Sequence, residues 1–522
     1  MISPKVTISF DISRYSTNPN SPEKGFPLRF TLFQFPLYIM CETAYSKPRK
    51  RFCKYRLWNG RSAVLQPANK PGTVNLKHGW NLRMKLTRLS LALSAALCGT
   101  VLLGQETPLA WNAASNFAYT IERVTPSPVS SSSWTVKVIF SVANPAPSPA
   151  FPSPVWDIKT ALPITGGSLR ILVGWDGAEL SNTNSRGNLN PVATAPSNIA
   201  AAAPISLNAL AGATAAQPCT PSNCGELGAS PMTNRFTVST VVNPIAFPPG
   251  GAVSSGIVGI EGRPVCPLTG PLLPGCPSTN GAATAANIPV TSAARSFSFT
   301  GAAVADRRKI VDIANCKKCH DGAKHGDTVV PRLSLHGANR NENLLLCVIC
   351  HNANQTDIPF RASGPEVSID FKRMIHSIHA GGFRKTPLQI VGFQGTLFDF
   401  SHVRFPAKLR NCTACHVGAS YALPISPKAL GSTIDTRSTQ ATATALRTVD
   451  VDPANDSKIT PAAASCSGCH DSSEVQRHMV RTGGASFGTQ QQNIVSGVTE
   501  RCVNCHGPGK KEDVRKVHEI GR

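Results

Sequence analysis

Five segments of this 522-residue chain place two cysteines three positions apart with a histidine directly after the second: Cys316-Cys319-His320, Cys347-Cys350-His351, Cys412-Cys415-His416, Cys466-Cys469-His470 and Cys502-Cys505-His506. Thiols at that spacing lie on one side of a single helical turn, where they can add to the two vinyl groups of a porphyrin. The next residue then falls beneath the ring as the proximal iron ligand. Chance placement of 17 Cys and 13 His would yield about 0.01 such pentapeptides. Zinc is the alternative use of Cys-x-x-Cys, but zinc sites join two such pairs at close spacing or add a His several residues away. A His adjoining all five copies favours five covalently bound haem c groups.

Each haem iron needs a sixth ligand. Between residues 302 and 522 only Met374 and Met479 could supply a thioether, whereas seven His lie outside the motifs: His325, His336, His376, His379, His402, His478 and His518. Bis-histidine ligation is therefore available at every iron. It lacks the thioether that raises the potential of Met/His cytochromes. It also leaves no position for substrate, so such iron moves electrons rather than making bonds. His376 and His379 share a helix face and can reach different rings. His336 lies between the first two motifs, His402 precedes the third, His478 follows the fourth on a short helical stretch and His518 follows the fifth. His325, in a polar loop flanked by Gly and Asp, ranks last. Six candidates, His336, His376, His379, His402, His478 and His518, remain for five places.

The elements that must hold these residues change character along the chain. Residues 105–301 read as all-β: Phe117 to Val124, Trp134 to Val142, Leu169 to Trp175, Phe236 to Val242, Ile257 to Glu261 and Phe297 to Phe299 alternate apolar with polar residues. Pro, Gly, Asn and Ser separate them, with a low-complexity Ala-rich stretch from Ala193 to Ala216. A β-sandwich or small Greek-key barrel fits this pattern. The region contains no His and so offers no iron ligand; its expected role is that of a cap, spacer or docking surface. Residues 302–522 are mainly irregular with helical patches near Val367 to His379 and Glu474 to Thr482. A segment this thin must use its porphyrins as much of its apolar interior. Gly431 to Thr448 reads as a surface loop.

Composition supports export. The net charge of +23 would ordinarily suggest nucleic acid or an anionic surface. Ten propionates from five haems would offset most of the excess in the haem segment, so its Arg and Lys are read as propionate partners and nucleic acid is not expected. Met84-Lys85-Leu86-Thr87-Arg88 followed by the apolar run Leu89 to Gly104 has the form of a secretory signal. Residues 1–83 then read as an upstream extension from a start assigned too early, with a cytoplasmic extension ahead of a membrane anchor as the alternative. Export permits disulfides. Cys219 with Cys224 and Cys266 with Cys276 are the candidate pairs, free or metal-bound thiols being the alternative. Cys98 lies within the signal after Leu97, a poor context for acylation.

Several segments carry a family likeness. Asp306-Arg307-Arg308 leads through Val311-Asp312 into the first motif; Leu335-His336-Gly337 precedes the second; Ile369-Asp370-Phe371-Lys372-Arg373-Met374-Ile375-His376-Ser377-Ile378-His379 and Asp399-Phe400-Ser401-His402-Val403-Arg404-Phe405-Pro406 precede the third. This set resembles the OmcA/MtrC-type outer-membrane multihaem cytochromes over roughly 105–522, the β region and its cysteine pair included. The resemblance implies extracellular electron transfer at the outer-membrane surface. It implies donors among periplasmic or outer-membrane cytochromes, and acceptors among Fe(III) and Mn(IV) oxides, flavins or humic-type compounds. Family members typically alternate two β domains with two pentahaem domains, whereas here there is one of each. Two other readings differ in class: a multihaem reductase with one open-sided haem, located for instance in the periplasm, and a subunit of a cytochrome filament in which copies of the chain associate.

Overall fold

The computed structural model describes residues 54–56, 62–64, 109–130, 133–175, 204–242, 245–246, 255–277, 285–304, 306–325, 328–358, 360–437, 455–488 and 499–520. Residues Met1–Gly104 form one unit and Gln105–Arg522 another. In the first, β1 (Lys54–Arg56) pairs antiparallel with β2 (Ser62–Val64). The expected signal at 84–104 lies outside the described residues.

The second unit opens with two antiparallel sheets. One contains β3 (Ala118–Ser130), β4 (Ser133–Ala143), β7 (Gln217–Pro218), β8 (Phe236–Ser239) and β9 (Ile245–Ala246), in the order β3-β4-β8-β7 with β9 on β4. The other runs β11-β10-β5-β6, from β5 (Ser168–Trp175), β6 (Ile205–Asn208), β10 (Ser255–Arg263) and β11 (Ala293–Ser298). Alternate residues point inward. Val136, Val138, Phe140 and Val142 of the first sheet share one core with Leu169, Ile171, Val173 and Trp175 of the second. Fully burying each such side chain contributes about 1.5–3 kcal/mol. Because the sheets meet through side chains and keep separate ladders, the domain is a sandwich and not a closed barrel. Both expected disulfides, Cys219–Cys224 and Cys266–Cys276, are present.

Strand β6 falls inside the Ala-rich stretch read as low complexity. Ile205 and Leu207 are buried there, and four residues suffice for a strand that needs only one inward pair.

After residue 302 the chain is mainly loops, short hairpins and short helices, as expected of a haem-packed segment. The helices are α1 (Ile313–Lys317), α2 (Leu344–Cys350), α3 (Phe371–Ala380), α4 (Pro461–Cys466), α5 (Ser473–Arg481), α6 (Val503–His506) and α7 (Val514–Val517). The loop expected over Gly431 to Thr448 is corrected at its start. Ser432–Asp435 is a strand paired with Ser457–Ile459, and Ser432 and Thr433 are fully buried. Its two fully buried side chains are polar, so hydrophobic alternation could not reveal it. It is held inside because Ser432 donates to Asp370 and the Thr433 N–H to the Ala353 carbonyl, 2.8 Å away. Residues 438–454 lie outside the described residues.

The outer face of the second sheet is covered too. Leu172 of β5 and Ile257 of β10 pack against Leu346, Val348 and Ile349 of α2. Gly259 makes the close approach possible, since a Cβ there would stand 2.4 Å from Leu346 Cδ1. The sandwich thus carries the helix that bears the second Cys-x-x-Cys-His.

Candidate metal centres

The five motifs adopt one local geometry. In each, the His backbone N–H donates to the carbonyl of the first Cys at 2.9 Å: His320 to Cys316, His351 to Cys347, His416 to Cys412, His470 to Cys466 and His506 to Cys502. This is a single helical turn, and it puts both thiols and the imidazole on one side. Local capping starts the turns. Asp312 accepts from the Ala314 N–H at 2.9 Å, Asn343 from Leu346 at 3.1 Å, and Glu500 reaches across to accept from Ala462 and Ala463 at 2.7 and 2.8 Å. The third motif is a tighter 3₁₀ turn, Cys412–Ala414. None of the ten motif cysteines is in a disulfide.

Opposite every motif histidine stands a second imidazole. The ring centroids are 6.1 Å apart for His320 and His379, 6.0 Å for His336 and His351, 6.0 Å for His376 and His416, 6.0 Å for His470 and His518, and 6.1 Å for His478 and His506. With metal–nitrogen bonds of about 2 Å and ring centroids about 1 Å behind the ligating nitrogen, two imidazoles closing one metal stand about 6 Å apart. The same separation in all five pairs fits one axial metal each.

At six of the ten imidazoles the outward nitrogen is fixed as a metal ligand requires. Nδ1 of His320 faces the Pro331 carbonyl at 2.9 Å, His351 that of Ile369 at 2.9 Å, His379 that of Ile375 at 2.9 Å, His506 that of Glu512 at 3.0 Å and His518 that of Val514 at 2.9 Å. A carbonyl only accepts, so Nδ1 carries the proton and Nε2 keeps its lone pair for a metal. His416 achieves the same through Ser420, whose hydroxyl lies 3.1 Å from Nδ1 and donates to the Ile310 carbonyl at 2.6 Å. Burial holds His376 down to about 4, with the neighbouring His416 and His379 adding to the effect, and burial likewise lowers His351, His379, His416 and His470. Neutral imidazole is the ligating form.

The surroundings fit a porphyrin. Leu335 beside His336, Val417 beside His416, Val480 near His478 and Val517 beside His518 are apolar side chains that the protein itself leaves exposed. Arg373 is a guanidinium held down to about 10, first by burial and then by Arg384, with Asp370 and Asp471 opposing. A buried cation so placed suits an acidic group of the cofactor. Among the described residues no three His, Cys, Asp or Glu converge on one ion, as a zinc site would require.

Five of the six candidate partners take part in pairs: His336, His376, His379, His478 and His518. His402, expected from its flanking sequence to be a sixth ligand, is in none of these pairs. It is exposed and faces no motif histidine among the described residues. Its segment packs against the helix that bears His379. The Val403 carbonyl accepts from Gly382 at 3.0 Å just beyond α3, and the Phe405 ring stands edge-on to His379 at 5.6 Å. His325, ranked last, pairs with Asp321 at 2.9 Å.

Contacts join the five motif segments in series. Lys317 of the first motif reaches Glu342, just before α2, at 2.6 Å. Asn315 donates to the Cys415 carbonyl at 3.2 Å, joining first to third. Cys469 Sγ lies 3.7 Å from the carbonyl of His376, joining fourth to third, and His518 links the fourth site to the chain beyond the fifth motif. The resulting order is second, first, third, fourth, fifth.

A chain with five attachment turns, each facing a second imidazole, is a multihaem c-type cytochrome. Residues 308–519 match the family described as outer membrane cytochrome MtrC/MtrF-like, domains II/IV. That segment belongs to the OmcA/MtrC type of outer-membrane cytochrome domain. No curated protein matches the chain. Among solved structures it is similar to MtrC from Shewanella baltica OS185, at 15% identity and a TM-score of 0.42, covering 76% of this chain and 53% of that one. It is also similar to the outer membrane decaheme cytochrome OmcA, at 18% identity and a TM-score of 0.34, covering 79% of this chain and 49% of that one. The chain therefore spans about half the length of these structures. No helix among the described residues is long and apolar enough to cross a membrane.

Proposed function

We propose that the chain is an exported electron carrier holding five haem c groups, with residues 302–522 as the pentahaem domain and 105–301 as its sandwich partner. Attachment falls to Cys316 and Cys319, Cys347 and Cys350, Cys412 and Cys415, Cys466 and Cys469, and Cys502 and Cys505. The axial pairs are His320/His379, His351/His336, His416/His376, His470/His518 and His506/His478. Bound haem iron supplies one-electron exchange between ferric and ferrous states. The protein's own part is to fix each ring between two imidazoles, exclude a substrate position and line the sites up.

The single observation that carries this reading is the set of five imidazole pairs at 6.0–6.1 Å. A reductase with an open-sided iron would need a motif histidine lacking such a partner, and none of the five lacks one. The family match supports a place at the outer membrane, donors among periplasmic or outer-membrane cytochromes, and external acceptors such as Fe(III) or Mn(IV) oxides and flavins. The test is the purified exported protein. Its mass should include five haems, its ferric spectrum should be wholly low-spin, and dithionite-reduced protein should be reoxidised by ferric citrate or a flavin. A persistent high-spin species binding nitrite rapidly would overturn the carrier reading in favour of the enzyme.

A further inference from the structure

The sandwich touches the second site more intimately than a spacer needs to. His336, the imidazole opposite His351, stands in the left-handed region with φ 54°, followed by Gly337 at 67°, Ala338 at 67° and, after the Arg340–Asn341 strand, Glu342 at 50°. Only Gly adopts that backbone freely; for the others it is costly and persists where the surroundings over-determine it. The surroundings here belong to the sandwich.

The outer face of β10 supplies the first row of contacts. Glu261, 4% exposed, pairs with Arg340, and Arg263 Nη1 donates to the Gly337 carbonyl at 3.0 Å. The Gly262 N–H donates to the Asn339 carbonyl at 3.0 Å, while Ser168 of β5 donates to the Asn339 side chain, whose own amide donates back to the His336 carbonyl at 2.9 Å. The second row comes from the stretch before β11. Asn341, 1% exposed, donates to the carbonyls of Val290 at 2.9 Å and Ala338 at 2.8 Å; its backbone N–H donates to Ser292 Oγ at 3.1 Å, and its carbonyl accepts from the Ser292 N–H at 3.0 Å. Asn343 both caps α2 and donates to the Ser292 carbonyl at 2.8 Å. One set of sandwich residues thus fixes the turn bearing His336 and the start of the helix bearing His351.

We propose that the sandwich is a clamp for the sixth ligand of the second site: Glu261, Asn339 and Asn341 are positioning residues that hold His336 on its metal. The inference rests on the assignment of His336 as a ligand. Loosening the clamp would free His336 and leave the second site alone without its second imidazole and accessible to a small exogenous ligand, while the other four pairs, whose His376, His379, His478 and His518 lie beyond the sandwich contacts, would stay closed. The sandwich thereby gates access to one end of the series.

The experiment compares the full holoprotein with Glu261→Gln, Asn339→Ala, Asn341→Ala and His336→Ala. Haem count is read by mass, spin state by absorption and EPR, and opening by the rate of cyanide binding to the ferric protein. His336→Ala should retain five haems with one iron high-spin. The clamp variants should retain five haems, bind cyanide at a single iron about tenfold faster than wild type, and lower the potential span of no other site. If His336→Ala stays wholly low-spin, the ligand assignment is wrong and the clamp falls with it. If His336→Ala opens one iron but the clamp variants bind cyanide at the wild-type rate, the clamp alone is wrong. Should Asn341→Ala lose haems generally, Glu261→Gln and the half-buried Asn339→Ala decide the matter.

Discussion

His376 and His379 stand one helical turn apart on Phe371–Ala380 yet face different motif histidines, His416 and His320, at centroid separations of 6.0 and 6.1 Å. On the proposed assignment, two metal sites would share one short piece of backbone. Between the two ligands lies Ser377, 1% exposed, which accepts from Arg384 Nη1 at 3.1 Å.

A proline at that position should disturb both sites together. Ser377→Pro removes a helical hydrogen bond and biases His376 away from helical backbone, at a cost of about 3 kcal/mol. We expect two of the five irons to become high-spin by EPR quantitation. Ser377→Ala, which loses one hydrogen bond worth about 1 kcal/mol, should keep all five low-spin. An equal response of all five irons to the proline would show that the helix is not a shared mount.

The mutual angle of the paired rings sorts the sites into two groups. His376 and His416 are inclined by 12° and His336 and His351 by 36°, whereas His320/His379, His470/His518 and His478/His506 lie at 79°, 70° and 84°. Near-parallel axial planes split the iron dπ orbitals and give well-spread rhombic ferric signals; near-perpendicular planes leave them almost degenerate and give strongly anisotropic ones. Low-temperature EPR of the oxidised protein should show two rhombic irons and three of the anisotropic kind.

His402→Ala should leave five low-spin haems, because the ring is exposed and outside the pairs. Stability should move by no more than about 0.5 kcal/mol in a denaturant titration. One newly high-spin iron would restore His402 as a ligand.

Glu366 supplies a pH signature remote from the metals. Burial raises its pKa above 4.5, helped by Asp435, while hydrogen bonds from Thr356 and Thr436 pull the other way and lose. The folded state therefore binds the proton more tightly than the unfolded chain. The resulting stabilisation is complete below pH 4.5 and is lost as pH rises through the folded value. Relative to Glu366→Gln, the wild type should be most stable in acid and lose that margin towards neutrality, as read from denaturant midpoints across pH. A margin growing with pH would reverse the assignment.

Much of this architecture is legible from residue type alone. Attachment chemistry tolerates only Cys and His at fixed offsets, so the five turns are visible without any structure, and a stock of seven spare histidines nearly determines the partners. The β strands announce themselves by alternation, as in Leu169 to Trp175, because one face of each is buried. What the chain hides is the function of residues whose role is set by distant neighbours. His402 sits in a segment that resembles a ligand stretch, but its backbone and Phe405 brace the helix of His379. Glu261 is the one acidic residue in a mostly apolar strand, and nothing near it in sequence points to Arg340. Ser432 and Thr433 are polar residues at the centre of packing, invisible to hydrophobic patterning. In each case the missing information is a partner between 21 and 80 positions away.

The nested pairing of the last two sites has a bearing on biogenesis. A polypeptide threaded outward from its amino end presents His336 before His351, His376 before His416 and His478 before His506, so these three centres can close as soon as their own motif emerges. The first must wait for His379. The fourth closes last, since His518 follows even the fifth motif. On the proposed pairing, maturation would have a built-in final step, and a chain halted late in secretion would expose one reactive iron in the interior of the series.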